Sequence, residues 1–599
     1  MPQNGVTSPG IILSRREYIG ALLICACLAA SPLFAAQQTQ QSTPEETGDS
    51  KNLSTLRVAT RLVQVNVVVN DKHGNPITGL SQKDFSISDN GKPQEVKVFS
   101  SATNVPSGDS TVSLPPGTYT NRPEEQTNVP ASVTVILLDA LNTEASDQTL
   151  ARRQVIRVLK DIQPQEYVAL YWLGDGLHIL HDFTTDASVL RRVLAGYESK
   201  SSRELDNSEL ADPSLNTTNP STPAGQASER QAFRLAFDQR VANQSTRDRV
   251  RATVAALVAI SNHLRTRKGR KNLVWVSASF PINLGHDKFD LNWTSETGEE
   301  FAGDLGRAAR ALTDADIAVY PVDARGLVGS DMMANGDDLG DTVPDPTNTD
   351  THVPTRAAPE TFDTMNLLAE RTGGKAFYGS NDISGAIRHA MNDARVSYTL
   401  GYYPVAVKWD GSFHKIKVKV AVPGAEVRTR TGYFAFPDSP VPQPKNDRAL
   451  ISQLAASRLP ATGIGLHASV QALSSKDSGS RGSGNPTLAA EVHLDLREIQ
   501  VQHKDGRWSG TVQSVFLQLD SAGHVLQADD RTFYPEFDAA AFERALQSGI
   551  SDTRQVRVRP NAAELCIVVR DAASGNLGSI YVPLAQYSPV PTGTKQTKK

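Results

Sequence analysis

Few side chains in this 599-residue chain are spaced for catalysis. His178 and His181 look like a short metal motif, but three residues apart in the apolar stretch LHILHDF they point to opposite faces of a strand. Glu360 and Glu370 fall on one helical stretch beside Arg371, as on any solvated face. Cys566, in LCIVV, has no basic or histidine neighbour in sequence to stabilise a thiolate, so it reads as a buried, inert thiol. A Gly-x-Ser-x-Gly elbow, a phosphate-binding Gly-Lys loop and His-Glu-x-x-His are all missing from the sequence. Carboxylates that end apolar runs are more informative. ASVTVILLD stops at Asp139 and IAVYPVD at Asp323, whereas Asp175, in LGDG, is a standard turn residue. A carboxylate such as Asp139, at the end of a buried strand, can accept N–H bonds at the start of the next helix. The chain therefore reads as a non-enzyme.

The elements that would position these carboxylates alternate. ASVTVILLD is nearly all apolar, as in a parallel strand covered on both faces. A helical stretch follows over 146–162, then the strands YVALYWL and LHILHDF, a helix over 186–197, and a polar insertion over 198–228. A long helix over 229–264 feeds NLVWVS, and a helix over 299–312 feeds IAVYPVD. A helix over 359–371 precedes KAFYG, and one over 382–393 precedes VSYTLGYY. This alternation predicts an α/β domain over 131–404 with a central, doubly wound, mostly parallel Rossmann-type sheet. Before it, Val63, Val65, Val67 and Val69 alternate with polar residues, and Asp89-Asn90-Gly91 marks a hairpin. A small β module over 56–101 follows, with a Pro-, Ser- and Thr-rich linker or loop over 102–130. After the α/β domain, GSFHKIKVKVAV and AEVRTRTGYFAF are expected to pair as a β-hairpin extension over 405–436. Strands punctuated by Gly, Asp and Ser over 446–584 predict a C-terminal β-sandwich-like domain, with a disordered tail over 585–599.

The run VILLDALNT resembles the von Willebrand factor A-related domain family typical of acidobacterial proteins. It does so together with RLVQVNVVVNDKHGNPITGLSQKDFSISDNG before it and LLAERTGGKAFYGSNDISGAIRHAMNDARVSYTLGYYP, FHKIKVKV and VRTRTGY after it. The resemblance covers roughly residues 56–434 and implies a von Willebrand factor A-like fold and a binding role, with no substrate. It also implies a metal-ion-dependent adhesion site at the carboxyl ends of the strands, where oxygen ligands hold Mg²⁺. Asp139 matches the first aspartate of that site, Thr143 the last hydroxyl of its first motif, and Thr184 or Thr185 the loop threonine. Leu141 stands where a serine ligand belongs and Ser277 where the second aspartate belongs, so the site is degenerate. Asp323 would lie two strands from Asp139, about 10 Å at about 4.8 Å per strand, too far to replace a ligand. Mg²⁺ is the one cofactor this brings in, with Asp139, Thr143 and Thr184 as its residues.

Arg15 and Arg16, the apolar run 18–34 and Ala35-Ala36 give residues 1–36 the layout of a signal peptide. SRREYIG resembles the twin-arginine export motif. An uncleaved anchor and a lipoprotein at Cys27 are the alternatives, and all three place the chain outside the cytoplasm, with membrane contact only through an uncleaved leader. Residues 37–55 read as a flexible spacer. With 39% hydrophobic and 21% charged residues and a net charge of -4, the chain is globular in composition and carries no basic stripe for nucleic acid. The expectation is an exported binding protein, periplasmic, envelope-bound or secreted, with an unidentified extracytoplasmic protein as partner. The alternative is a structural component of an envelope complex with a vestigial metal site. Polar, Pro-containing linkers predict relative motion of the modules.

Overall fold

The computed structural model describes residues 62–103, 114–122, 132–164, 166–209, 227–267, 269–278, 280, 296–326, 363–404, 408–410, 412–435, 457–473 and 486–587. The expected leader and spacer, residues 210–226 of the polar insertion and the tail from 588 onward lie outside them. Among the described residues no helix is long and apolar enough to cross a membrane.

Strands β1 (Val63–Asn70), β2 (Phe85–Asp89), β3 (Lys92–Gln94) and β4 (Val98–Thr103) come first. Asn90 and Gly91 make the turn between β2 and β3 with φ of 46° and 79°, the left-handed pair that lets a two-residue hairpin follow the strand twist. The next strand, β5 (Thr118–Thr120), falls in the stretch that composition marks as a linker, and pairs far down the chain.

The α/β domain then runs through β6 (Ser132–Asp139), α1 (Ala145–Leu159), β7 (Tyr167–Leu173), β8 (Leu177–Thr184), α2 (Ala187–Ala195), α3 (Arg203–Glu209), α4 (Ala227–Leu264), β9 (Arg270–Ser277), α5 (Glu296–Asp314), β10 (Ile317–Asp323), α6 (Asp363–Thr372) and α7 (Ile383–Asn392). Its sheet has the order β10-β9-β6-β7-β8. Four strands are parallel, and β8 is an antiparallel edge, so the sheet is mixed. β6, β9 and β10 are buried along their whole length because helices cover both faces. One face packs Leu137, Trp275 and Val319 against α4, α5 and α6, and the other packs Ile136, Val274 and Tyr320 against α1, α2 and α7. KAFYG makes only one parallel bridge, Phe377 with Val322, which covers the outer edge of β10.

VSYTLGYY, expected to close this sheet, does not join it. As β11 (Val396–Tyr402) it pairs antiparallel with β1 and β4. The expected hairpin after it splits between two sheets. β12 (Phe413–Val420) pairs with β2 and with β14 (Gly432–Phe434), while β13 (Glu426–Thr429) crosses to β1. The two sheets, β13-β1-β11-β4 and β14-β12-β2-β3, close one sandwich around Val65, Val67, Ile87, Tyr398, Tyr402 and Ile416. The early β module lacks enough strands to cover its own apolar face, and the later segment supplies them. The α/β domain is thus an insertion in a sandwich.

The C-terminal sandwich contains β15 (Leu466–Ala472), β16 (Thr487–Leu494), β17 (Gln502–Lys504), β18 (Arg507–Ser509), β19 (Val512–Leu519), β20 (Val525–Phe533), β21 (Glu536–Phe537), β22 (Ile550–Arg557), β23 (Glu564–Asp571) and β24 (Leu577–Pro583), with a helix at Ala539–Ser548. Its sheets are β22-β16-β15-β5 and β20-β19-β23-β24, with a small third sheet, β17-β18-β21. Cys566 is fully buried in it, and burial pushes the thiol up to about 12, the inert state expected.

Both sandwiches dock at the amino ends of the parallel strands. Asp393, 0% exposed, follows α7 and accepts from Asn70 Nδ2 (2.8 Å), from Tyr320 OH (2.8 Å) and from Arg428 Nη1. Arg270, at the start of β9, reaches the Tyr320 hydroxyl (2.9 Å) and Gly373 O (2.8 Å). On the other side, Thr462 closes the end of α4. Its N–H donates to Asn262 O (2.9 Å) and its hydroxyl lies 3.0 Å from Asn262 O and 3.1 Å from His263 O, carbonyls that the helix leaves without partners. These buried contacts join modules that linker composition predicts to move independently. Nearby, Lys271 is 2% exposed, its ammonium donating to Arg267 O, and burial lowers it to about 8.

Candidate functional site

Asp139 ends β6, where the parallel strands deliver their loops, and is 2% exposed. Its Oδ2 accepts from Ser277 Oγ (2.8 Å), Trp275 Nε1 (2.9 Å) and Asn142 Nδ2 (2.9 Å), and its Oδ1 accepts from Asn142 N (3.0 Å). Four donors thus meet the roughly four lone-pair positions of a carboxylate. β9 positions Trp275 and Ser277 because it lies beside β6 in parallel register, Leu138 opposite Val276. Asn142 is oriented from α4: its Nδ2 also donates to Thr253 Oγ1 (2.9 Å), and its Oδ1 accepts from Arg249 Nε (3.0 Å). Burial raises the Asp139 pKa, opposed by the donors from Asn142, Ser277 and Trp275, and burial prevails.

The other ligands of the expected site do not converge on Asp139. Thr143 is close, but its hydroxyl oxygen accepts from Ala278 N (3.0 Å) and is 2% exposed. Leu141 is buried as part of the core. Thr184 is at the wrong end of the domain. Because β8 is antiparallel, Thr184 sits opposite Val168 at the start of β7, whereas Asp139 sits opposite Leu173 at its end. Five residues separate the two levels, about 16 Å along the strand at about 3.3 Å per residue. Thr184 Oγ1 instead accepts from Asp186 N (3.0 Å), at the start of α2, and Thr185 follows it at that end. The threonines at the end of β8 are therefore at the opposite end from Asp139, and the chain returns to the carboxyl ends only after α2. There Ser201 Oγ accepts from Ala145 N (3.2 Å) and Ser202 Oγ donates to Leu141 O (3.0 Å).

Asp139, Thr143 and Thr184 therefore do not fit Mg²⁺. The carboxylate is saturated by protein donors, the nearer hydroxyl is engaged, and the farther one is out of reach. Asp323, two strands away at the end of β10, is paired with its own neighbour Arg325 (3.0 Å). Among the described residues no group of three or more His, Cys, Asp or Glu could hold a metal ion. His178 contacts Asp175 (3.0 Å), and His181 Nδ1 contacts Asp182 O (2.6 Å).

What the arrangement does is brace the loops at this end. Gln148 is the hub: its Nε2 donates to Thr143 O (2.7 Å) and Lys200 O (2.9 Å), and its Oε1 accepts from Tyr197 OH (2.9 Å) and Lys200 N (3.2 Å). Trp172 Nε1 donates to the same tyrosine oxygen (2.8 Å). The result is a stiff rim bearing exposed Asp175, Glu198 and Lys200, whose side chains are 84%, 79% and 76% accessible. Sequence reasoning missed Asn142, Gln148, Arg249, Thr253 and Trp275. The one available signal was Arg249 and Thr253, polar residues four apart on α4 beside the apolar stripe Val250, Val254 and Leu257.

No family model matches the chain, and no curated protein does. Solved structures similar to it include an aerotolerance-related membrane protein from Bacteroides fragilis, 12% identical over 44% of this chain and 98% of that one, with a TM-score of 0.22. BatB from Bacteroides thetaiotaomicron is 12% identical over 44% and 96%, TM-score 0.21. A von Willebrand factor type A protein from Catenulispora acidiphila is 6% identical over 60% and 79%, TM-score 0.23. At such values the fold description rests on the strand order and register above.

Proposed function

We propose that this is an exported, non-enzymatic interaction protein, whose von Willebrand factor A-like domain presents the carboxyl ends of its sheet to another extracytoplasmic protein without using a cation. The observation that carries this reading is the placement of the sandwiches. Asp393 and Thr462 anchor both at the amino ends, so neither covers the rim of Asp175, Glu198 and Lys200. The hydrogen bonds of Gln148 to Thr143, Tyr197 and Lys200 keep that rim in shape, and pre-organised surfaces bind at lower entropic cost. A scaffold reading, with the rim inert and the modules merely spacing a complex, is favoured by one feature, the saturated carboxylate of Asp139.

Photo-crosslinking separates the two. A crosslinking residue at position 200 should capture a discrete envelope protein, and the Asp175→Lys/Glu198→Lys variant should lose it. Equal capture from position 417, on β12, with none from position 200, would favour the scaffold. Substrate turnover by the purified chain would overturn both.

A further inference from the structure

The strand Thr118–Thr120 is fastened into the C-terminal sandwich by more than its backbone. Thr118, Tyr119 and Thr120 lie opposite Ser469, Ala468 and His467 of β15. The ladder is extended by Val470 N donating to Gly117 O (2.9 Å) and Asn121 N to Leu466 O (3.4 Å). Asn121, 5% exposed, then uses its whole amide. Its Nδ2 donates to Ala461 O (2.6 Å) and Ile464 O (2.8 Å), and its Oδ1 accepts from Leu466 N (2.8 Å).

The flanking residues are read as well. Tyr119 packs on the sandwich core with its hydroxyl 3.2 Å from that of Tyr587. Arg122 pairs with Glu498 (2.5 Å) across the bare backbone of Gly465, where a Cβ would stand 2.0 Å from the Arg122 Nε. Gly117 has φ of +76°, and a Cβ there would meet Val470 O at 2.8 Å. Main-chain pairing plus side chains seated by Tyr587, by the carbonyls that Asn121 reaches and by Glu498 is the chemistry of strand addition to a sheet edge. The covalent link to this strand runs through the α/β domain, and none of these contacts depends on it.

We infer that the C-terminal sandwich is a strand-capture module for the segment Gly-Thr-Tyr-Thr-Asn-Arg, and that a second copy of this chain can supply that segment in exchange for its own. The second copy is the occupant because it carries the sequence seated in the groove, and reciprocal exchange preserves every contact in both copies. This is independent of the reading given to the carboxyl-end rim.

The test uses the full chain carrying Tyr119→Ala and Asn121→Ala, which empties the groove, and a labelled peptide of residues 115–122 followed by fluorescence anisotropy. The emptied chain should bind the peptide, and a peptide with Asn121→Asp should bind at least about tenfold more weakly. Wild type should bind about tenfold to 100-fold more weakly than the emptied chain, because its own strand competes at about millimolar effective concentration. Mixed with a chain whose groove is blocked by Gly465→Leu, the emptied chain should form a heterodimer in native mass spectrometry. Failure of a folded, emptied chain to bind the peptide overturns strand capture, and peptide binding without a heterodimer overturns the second copy as occupant. Should the double variant not fold, the single Asn121→Asp chain takes its place under the same criteria.

Discussion

Replacing Asp139 by alanine separates a brace from a metal ligand. The substitution removes the acceptor from Trp275 Nε1, Ser277 Oγ and both nitrogens of Asn142. Asn142 Nδ2 keeps Thr253, so Trp275 Nε1 and Asn142 N are the donors that lose most. A buried donor left without a partner costs about 1–3 kcal/mol, so the variant should lose about 3–5 kcal/mol, reduced somewhat by relief of the buried charge. With a urea m-value of about 2–3 kcal/mol/M, the midpoint should fall by about 1–2 M, read by the loss of far-ultraviolet circular dichroism. Mn²⁺ titration in parallel should show no difference between wild type and variant. A midpoint unchanged within about 0.3 M, together with Mn²⁺ binding that disappears in the variant, would refute the reasoning and restore the cation. The pH profile adds a sign. Because burial raises the Asp139 pKa, the folded state holds its proton longer than the unfolded one. Stability from this group is present at low pH and is lost as pH rises through the folded value, a slope that Asp139→Asn should remove.

Lys271 carries the opposite dependence. Lowered by burial to about 8, beside Asp316, Arg267 and Arg265, it penalises the fold while charged, so stability should rise by about 3 kcal/mol between about pH 8 and 10.4. Urea midpoints across that range should slope upward in wild type and lie flatter in Lys271→Met. Asp393→Ala takes the buried acceptor from Arg428, Asn70 and Tyr320, leaving Arg428 its longer pair with Glu426 (3.5 Å), and should cost about 3 kcal/mol, with faster hydrogen exchange in β1, β11 and β13 before the α/β sheet is affected. Gly374→Ala would place a Cβ 1.9 Å from Val319 O, against backbone, so it should lower the melting temperature by several degrees or block soluble expression. An unchanged melting curve would show that the α6-to-α7 connection yields more easily than its packing suggests.

The α/β domain was legible where burial on both faces writes itself as unbroken apolar runs, as in ASVTVILLD and IAVYPVD. Membership of a sheet was not legible for VSYTLGYY. An apolar run that follows a helix reads the same whether it joins the sheet beside that helix or a sandwich strand 330 residues earlier. Thr118–Thr120 was hidden for a related reason, since a three-residue strand among Pro, Ser and Thr has no periodicity, and it is held by its backbone ladder, Asn121 and the single apolar contact of Tyr119. At the site, Asp139 was found because a carboxylate ending an apolar run is conspicuous. Its partners Trp275 and Ser277 come from β9, and Arg249 and Thr253, which orient the neighbouring Asn142, come from α4; only the fold brings these stretches together. The misplacement of Thr184 came from direction: sequence shows that a strand is present, not which way it runs.

The order in which the chain visits its modules also sets a timetable for synthesis. β1 must wait for β11, with Val63 paired to Tyr402, and β5 waits longer for β15, with Thr120 paired to His467. At about 5–20 residues per second, the first half-sandwich stands with open strand edges for about 20–70 s before its complement is made. Folding from the amino terminus, one module at a time, is closed to this protein. The α/β insert can be the first unit to complete, and both sandwiches close late around it. That leaves a long interval in which unpaired β-strands need shielding, by a chaperone or by remaining unfolded until the whole chain is available.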